Sequence, residues 1–282
     1  MRIAKCRIPT VVGMLVLSML LLGGCGETSL ASSVVFPTTT SVPPNTITIT
    51  QGEQFSPFIL EVSPGTAVTW YNNDVIAHTL QNTPLQSTFL NPAPLNLHVA
   101  PGSTTTFSFT APGIYDYFDN HIATWNKKDQ RVQADPQYPN YPEAMEGVVW
   151  VTGPIVGMPK QAENAIPSGH DDFVTDFLAI QAGGTVTWHN HDTAKHYLSW
   201  VTGWQGDINP ATTLQLVSIS GTTDQPPNGG SATQTFTKPG LYYYFCTAHA
   251  EEDTTWHRVM AHPDSSESPI PMEGFVLVLA NG

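Results

Sequence analysis

The chain is poor in cysteine, in basic residues and in helical pattern, and each shortage narrows what it can be. Of 282 residues only three are cysteines, Cys6, Cys25 and Cys246. The first two lie in the N-terminal leader region, so no disulfide framework is available to brace a fold. Lys and Arg number 10 against 23 acids, a formal charge of −13. That balance argues against a nucleic-acid partner and for one with a basic or neutral surface. Charged residues make up only 12% of the chain, so its solubility rests on Thr, Asn, Gln and Ser. Few segments carry an apolar period near 3.6, which leaves little room for helices.

What is present begins with a leader. Arg2, Lys5 and Arg7 precede an apolar run, Val11 to Leu22, too short to span a membrane comfortably. The run ends in Leu22-Gly23-Gly24-Cys25, which resembles a bacterial lipobox. The resemblance implies that residues 1–24 leave as a lipoprotein signal peptide and that Cys25 becomes the lipidated N-terminus. An ordinary secretory signal or an uncleaved anchor is the alternative. Residues 25–45, rich in Ser, Thr and Pro, read as a lipid-anchored linker. The protein is therefore expected outside the cytoplasm, periplasmic or at the cell surface, tethered to a membrane without crossing it. Without the three leader bases, seven basic residues face 23 acids, a net charge near −16. Cys246 is then left as a single thiol in an oxidising compartment. Metal ligation is a physical reason to keep one there; a buried, inert cysteine is the other.

The rest of the chain is written twice. Gly65-Thr66-Ala67-Val68-Thr69-Trp70 matches Gly183-Gly184-Thr185-Val186-Thr187-Trp188 at an offset of 118, which places Asp74 on Asp192 and His78 on His196. Phe109-Thr110-Ala111-Pro112-Gly113 matches Phe236-Thr237-Lys238-Pro239-Gly240 at an offset of 127, and that register runs through Arg131 on Arg258 to Met145-Glu146-Gly147 on Met272-Glu273-Gly274. Similarity over about a hundred residues marks a duplicated domain, not a short solenoid repeat. Runs of Val, Thr, Phe, Tyr and Trp cut by Pro-Gly and Asn-Asp turns predict an all-β fold, two tandem Greek-key β-sandwich domains. The expected boundaries are 46–153 for the first domain, 154–168 for a connector and 169–282 for the second.

In the second copy His196, Cys246, His249 and Met272 fall at strand ends, where a sandwich brings loops together. Thiolate and thioether suit Cu(I), imidazole suits Cu(II), and the mixture suits an ion that changes oxidation state. Thr187-Trp188-His189-Asn190-His191-Asp192…His196, Tyr244-Phe245-Cys246-Thr247-Ala248-His249 and Met272-Glu273-Gly274 together resemble the cupredoxins, the blue copper proteins. That resemblance implies one type 1 copper per chain, with His196, Cys246 and His249 in a trigonal plane and Met272 as weak axial ligand. The chain departs from the family in its loop, with 22 residues between His249 and Met272. His257, which follows Trp256, competes with His249 for the copper, and Met260 competes with Met272. His262 lies in the same loop, and His189 and His191 share one strand face.

The first copy keeps His78 and Met145 but has Asp119 at the cysteine position and Ile122 at that of His249. Without a thiolate it is expected to be a metal-free structural or docking domain; a weak Cu(II) or Zn(II) site at His78, Asp119 and His121 is the alternative. The family implies outer-sphere electron transfer between exported redox proteins such as a cytochrome or another copper protein. Copper delivery or sequestration without redox turnover is the competing function. An enzyme is not expected: Phe245 stands where copper nitrite reductases have a histidine, and one cysteine excludes a dinuclear centre.

Overall fold

The computed structural model describes residues 43–91, 95–204, 217–220 (backbone only) and 230–281. The expected signal peptide, Cys25 and nearly all of the expected linker lie outside the described residues. The compact unit runs from Val42 to Gly282. Among the described residues there are 21 strands and no helix, as the β-rich pattern predicts.

Each half of this unit is a two-sheet sandwich. In the first half, β1 (Thr46–Ile49), β2 (Phe55–Ser56), β4 (Ala67–Asn72) and β7 (Thr104–Ser108) form a sheet in the order β2-β1-β4-β7. It faces β3 (Ile59–Val62), β5 (His78–Asn82), β6 (Asn96–Val99), β8 (Gly113–Asp119) and β11 (Glu146–Val151), ordered β3-β11-β8-β5-β6. Ile47, Val68 and Trp70 of one sheet and Leu60, Leu80, Tyr117 and Val149 of the other share one buried core.

The second half repeats the plan. β12 (Gln161–Ile166), β14 (Gly184–Asn190) and β17 (Ser231–Phe236) form one sheet. The other is ordered β13-β21-β18-β15-β16, from β13 (Phe177–Gln181), β15 (Lys195–Trp200), β16 (Val217–Ser220), β18 (Gly240–Cys246) and β21 (Glu273–Leu279). The match extends to side chains. Trp70 meets Tyr117 edge-on at 5.6 Å and Trp188 meets Tyr244 at 5.2 Å. Gly147 and Gly274 are glycines for one reason: a Cβ would fall 2.5 Å from the hydroxyl of Tyr117 or Tyr244. One boundary needs correction. The segment read as a connector, 154–168, contains β12, which pairs parallel with β14 from Gln161↔Thr185 to Ile166↔Asn190. Its pairing is with residues more than twenty positions downstream, and nothing in its short polar run announces that.

β8 and β18 are buried at every position. Alternate residues serve different cores. Tyr242, Tyr244 and Cys246 point into their own sandwich, whereas Leu241, Tyr243 and Phe245 join a third core with Phe58, Ile59, Ile114 and Val148 of the first half. This double burial explains the unbroken run Leu241-Tyr242-Tyr243-Tyr244-Phe245, which alternation alone would not produce.

Two hairpins seal that contact. β9 (Ala123–Asn126) and β10 (Arg131–Ala134) belong to the first half, and β19 (Ala250–Asp253) and β20 (Arg258–Ala261) to the second. Arg131 reaches Asp172 at 3.2 Å, Asp176 at 2.7 Å and the Phe173 carbonyl at 2.6 Å. Its counterpart Arg258 reaches Gln54 at 2.8 Å and the Ala144 carbonyl at 2.6 Å, with its guanidinium 4.9 Å from the centre of the Phe58 ring. In the 118 register Gln54 stands for Asp172 and Phe58 for Asp176. The long loop between His249 and Met272 is thus largely an arm that grips the other half.

Candidate metal centre

Three strand ends meet at one pole of the second sandwich. β15 supplies His196, β18 ends on Cys246, a turn follows to His249, and Met272 immediately precedes β21. Cys246 N donates to the Met272 carbonyl at 3.0 Å, and Thr247 N donates to the Tyr197 carbonyl at 2.9 Å, so the backbone ties these ends together. Met272 is fully buried in the same core as Cys246.

The donor atoms converge. His196 Nδ1 lies 3.7 Å and His249 Nδ1 3.6 Å from Cys246 Sγ. Among the described residues, this is the only group of three or more His, Cys, Asp or Glu donors close enough to share an ion. Edges of that length put a central ion about 2 Å from each corner, the length of a metal–nitrogen bond. Tyr197 N donates to the sulfur at 3.3 Å, a bond that supports a thiolate. Burial pushes the Cys246 thiol up, so the proton leaves when a metal takes its place. Burial, and then the neighbouring charge of His249, push His196 down, which keeps it neutral and able to ligate. With the thiol buried in the apolar core, soft sulfur and paired imidazoles make a donor set that suits copper.

The far nitrogens of both rings face carboxylates. His196 Nε2 lies 3.5 Å from Asp192, and His249 Nε2 lies 3.2 Å from Asp171. Neither acid was given a role in the sequence reading. Asp192 has a signal there, since it aligns with Asp74, which sits 3.3 Å from His78 Nε2. Asp171 aligns with Glu53 but lies in a loop with no pattern of its own.

The competing donors lie elsewhere. His257 has positive φ at the tip of the β19–β20 hairpin and packs on Gly203, where an added Cβ would fall 2.7 Å from the His257 ring. Met260 is on β20, paired with Glu251. His262 contacts the Ala248 carbonyl. His189 and His191 stack 6.3 Å apart, with Glu163 3.8 Å from His189.

In the first half, His78 Nδ1 bonds Asp119 directly, in the place where His196 faces Cys246. Asp119 also accepts from His121 N at 2.7 Å, but the His121 ring turns to Tyr138. Ile122 is fully buried where the second half has His249. His78, Asp119 and His121 are therefore not gathered around a common point.

Residues 160–253 match the model of the copper binding proteins of the plastocyanin/azurin family. That span covers β12 to β19 and includes His196, Cys246 and His249. No curated protein matches the chain. Among solved structures, a purple cupredoxin from Nitrosopumilus maritimus is 22% identical, with a TM-score of 0.25, covering 38% of this chain and 98% of that one. A reduced amicyanin variant is 19% identical, with a TM-score of 0.26, covering 38% and 80%. An oxidised amicyanin variant is 17% identical, with a TM-score of 0.27, covering 40% and 87%.

Proposed function

We propose that the chain is an exported, membrane-tethered electron carrier of two tandem cupredoxin domains, with one type 1 copper in the second. His196, Cys246 and His249, with Met272 beside them, would hold the copper ion. The carrying observation is the convergence of two imidazole Nδ1 atoms on one buried thiol, inside the span that matches a copper-binding family. Copper bound there supplies one-electron exchange. The protein holds the donors on strand ends fixed by backbone bonds, which limits rearrangement between oxidation states. Apolar packing around Cys246 excludes water and protects the sulfur from oxidation. Lipidated Cys25 and the linker would let this unit reach cytochromes or copper proteins near a membrane, and the acidic surface favours basic or neutral partners. Phe245, where copper nitrite reductases have a histidine, favours a carrier over an enzyme.

The test is spectroscopic. Copper-loaded protein should absorb intensely in the visible, bleach reversibly on reduction, and lose the band in Cys246→Ser. Colourless copper that a chelator strips readily, and that ignores this substitution, would end the electron-transfer reading. It would favour copper handling instead, for which the surface group His189, His191 and Glu163 is the relevant observation.

A further inference from the structure

Asp171 stands out from every other polar group near the thiol. It lies in the loop after β12, far in sequence from the ligands, yet its Oδ1 is 3.2 Å from Nε2 of His249. Its Oδ2 is held from the opposite side by Ser266 N at 2.6 Å and, more loosely, by Ser265 Oγ at 3.5 Å. Alongside it, His170 and Glu267 pair at 2.6 Å and tie the same two segments together. The carboxylate is thus fixed by the chain that follows β20 and is not a surface group in transient contact. Both side chains are largely buried, Asp171 at 15% and His249 at 16% exposure.

A carboxylate at one imidazole nitrogen decides the state of the other. A carboxylate 3.2 Å from Nε2 favours a proton there and leaves the lone pair on Nδ1, and it is Nδ1 that faces Cys246 Sγ at 3.6 Å. The negative charge also makes the imidazole a stronger donor, which favours the more highly charged metal ion. The duplicated half supplies a comparison. Glu53 occupies the position of Asp171, Ile122 replaces His249, and the Glu53 Oε2 is buried without a hydrogen-bond partner. In the half without the thiol, no imidazole stands at the position of His249.

We infer that Asp171 is a positioning residue for the metal site: it locks His249 as the Nε2–H tautomer and biases bound copper toward Cu(II), lowering the reduction potential. This rests on the copper reading above. It goes beyond that reading by assigning the tuning of the potential to one residue outside the ligand set.

The test uses copper-loaded and copper-free forms of the protein. Asp171→Asn should weaken Cu(II) binding relative to Cu(I) about tenfold, which raises the potential by about 59 mV for a one-electron couple. Asp171→Glu should restore part of the difference. Nitrogen NMR of the copper-free wild-type protein should show His249 protonated at Nε2, a readout that needs neither metal nor variant. A potential unchanged or lowered in folded Asp171→Asn, or wild-type His249 protonated at Nδ1, would overturn the assignment. If the wild-type protein forms no blue site while the tautomer is as stated, the copper reading fails and the positioning role survives. Loss of thermal stability alone, with the potential unmoved, would make Asp171 merely structural and would equally refute the inference.

Discussion

Arg258 donates to Gln54 across the interface between the two halves, 204 positions apart in sequence, at 2.8 Å. Both the arginine and the amide are almost completely buried. The same guanidinium satisfies the Ala144 carbonyl and lies over Phe58. Arg258→Ala should therefore leave two buried acceptors unpaired and cost about 3–5 kcal/mol, the range for breaking a buried charged contact. Chemical denaturation followed by tryptophan fluorescence measures it. Lys128→Ala, at a lysine that is mostly exposed beside Asp129, serves as the control and should change stability by less than about 1 kcal/mol. Equal effects from the two would remove the special role of the arm.

The long loop offers His249 and His257 as copper donors, and the geometry separates them. His249→Ala should abolish or strongly shift the visible band. His257→Ala should leave the band in place, because His257 packs against Gly203 and not against the sulfur. A band that survives the first substitution and vanishes in the second would reverse the assignment.

Restoring the first site is a stricter test of the duplication. His78 and Met145 are already present and fully buried. Asp119→Cys together with Ile122→His should create a second copper site and raise the bound copper from one to two equivalents. Asp119→Cys alone should fall short, because it leaves one imidazole in place of two. Copper analysis and visible absorption of the purified variants decide it. If the double variant folds and binds no more copper than wild type, the two poles are not equivalent in the way the repeat suggests.

Stability should depend on pH through the interface. Burial, first of all, pushes Asp116 up to about 7, with Glu146 and Thr83 beside it and Asp176 and Glu273 adding like charge. Arg131 and Arg258 are the cations facing the same acidic group. The sign follows from the raised value: the native state holds this proton longer than the unfolded chain. The stability it confers is complete below about pH 4 and is lost as pH climbs toward 7. Asp116→Asn should flatten that decline by up to about 1.4 kcal/mol per pH unit, the worth of one proton. Urea midpoints between pH 4 and 8 give the comparison, and parallel slopes in the two proteins would contradict it.

The sequence displayed the repeat because alignment needs only matched residues, and Trp70/Trp188 and Gly147/Gly274 proved to have matching surroundings. His196, Cys246 and His249, which the fold brings together, were legible as candidates for a related reason. Their residue types are chemically rare, and one solitary thiol directs attention to its neighbours. Asp171 was not legible, since an acid in a Gly- and Asp-containing loop has no spacing that points at an imidazole 78 positions away. β12 was hidden because parallel pairing with β14 leaves no local mark. Buried Asp116 and half-buried Glu146 and Asp176 resemble surface residues until the packing of two five-stranded sheets closes around them.

The crossed arms carry a consequence for how the two halves depend on each other. Arg131 grips Asp172 and Asp176, and Arg258 grips Gln54 and Phe58, positions that correspond one to one under the repeat. Reciprocal contacts of this kind define the two-fold interface of a symmetric homodimer. Within one polypeptide the two halves meet in that reciprocal manner, and each presents to the other the surface that the other's arm requires, although only one of them carries the thiol.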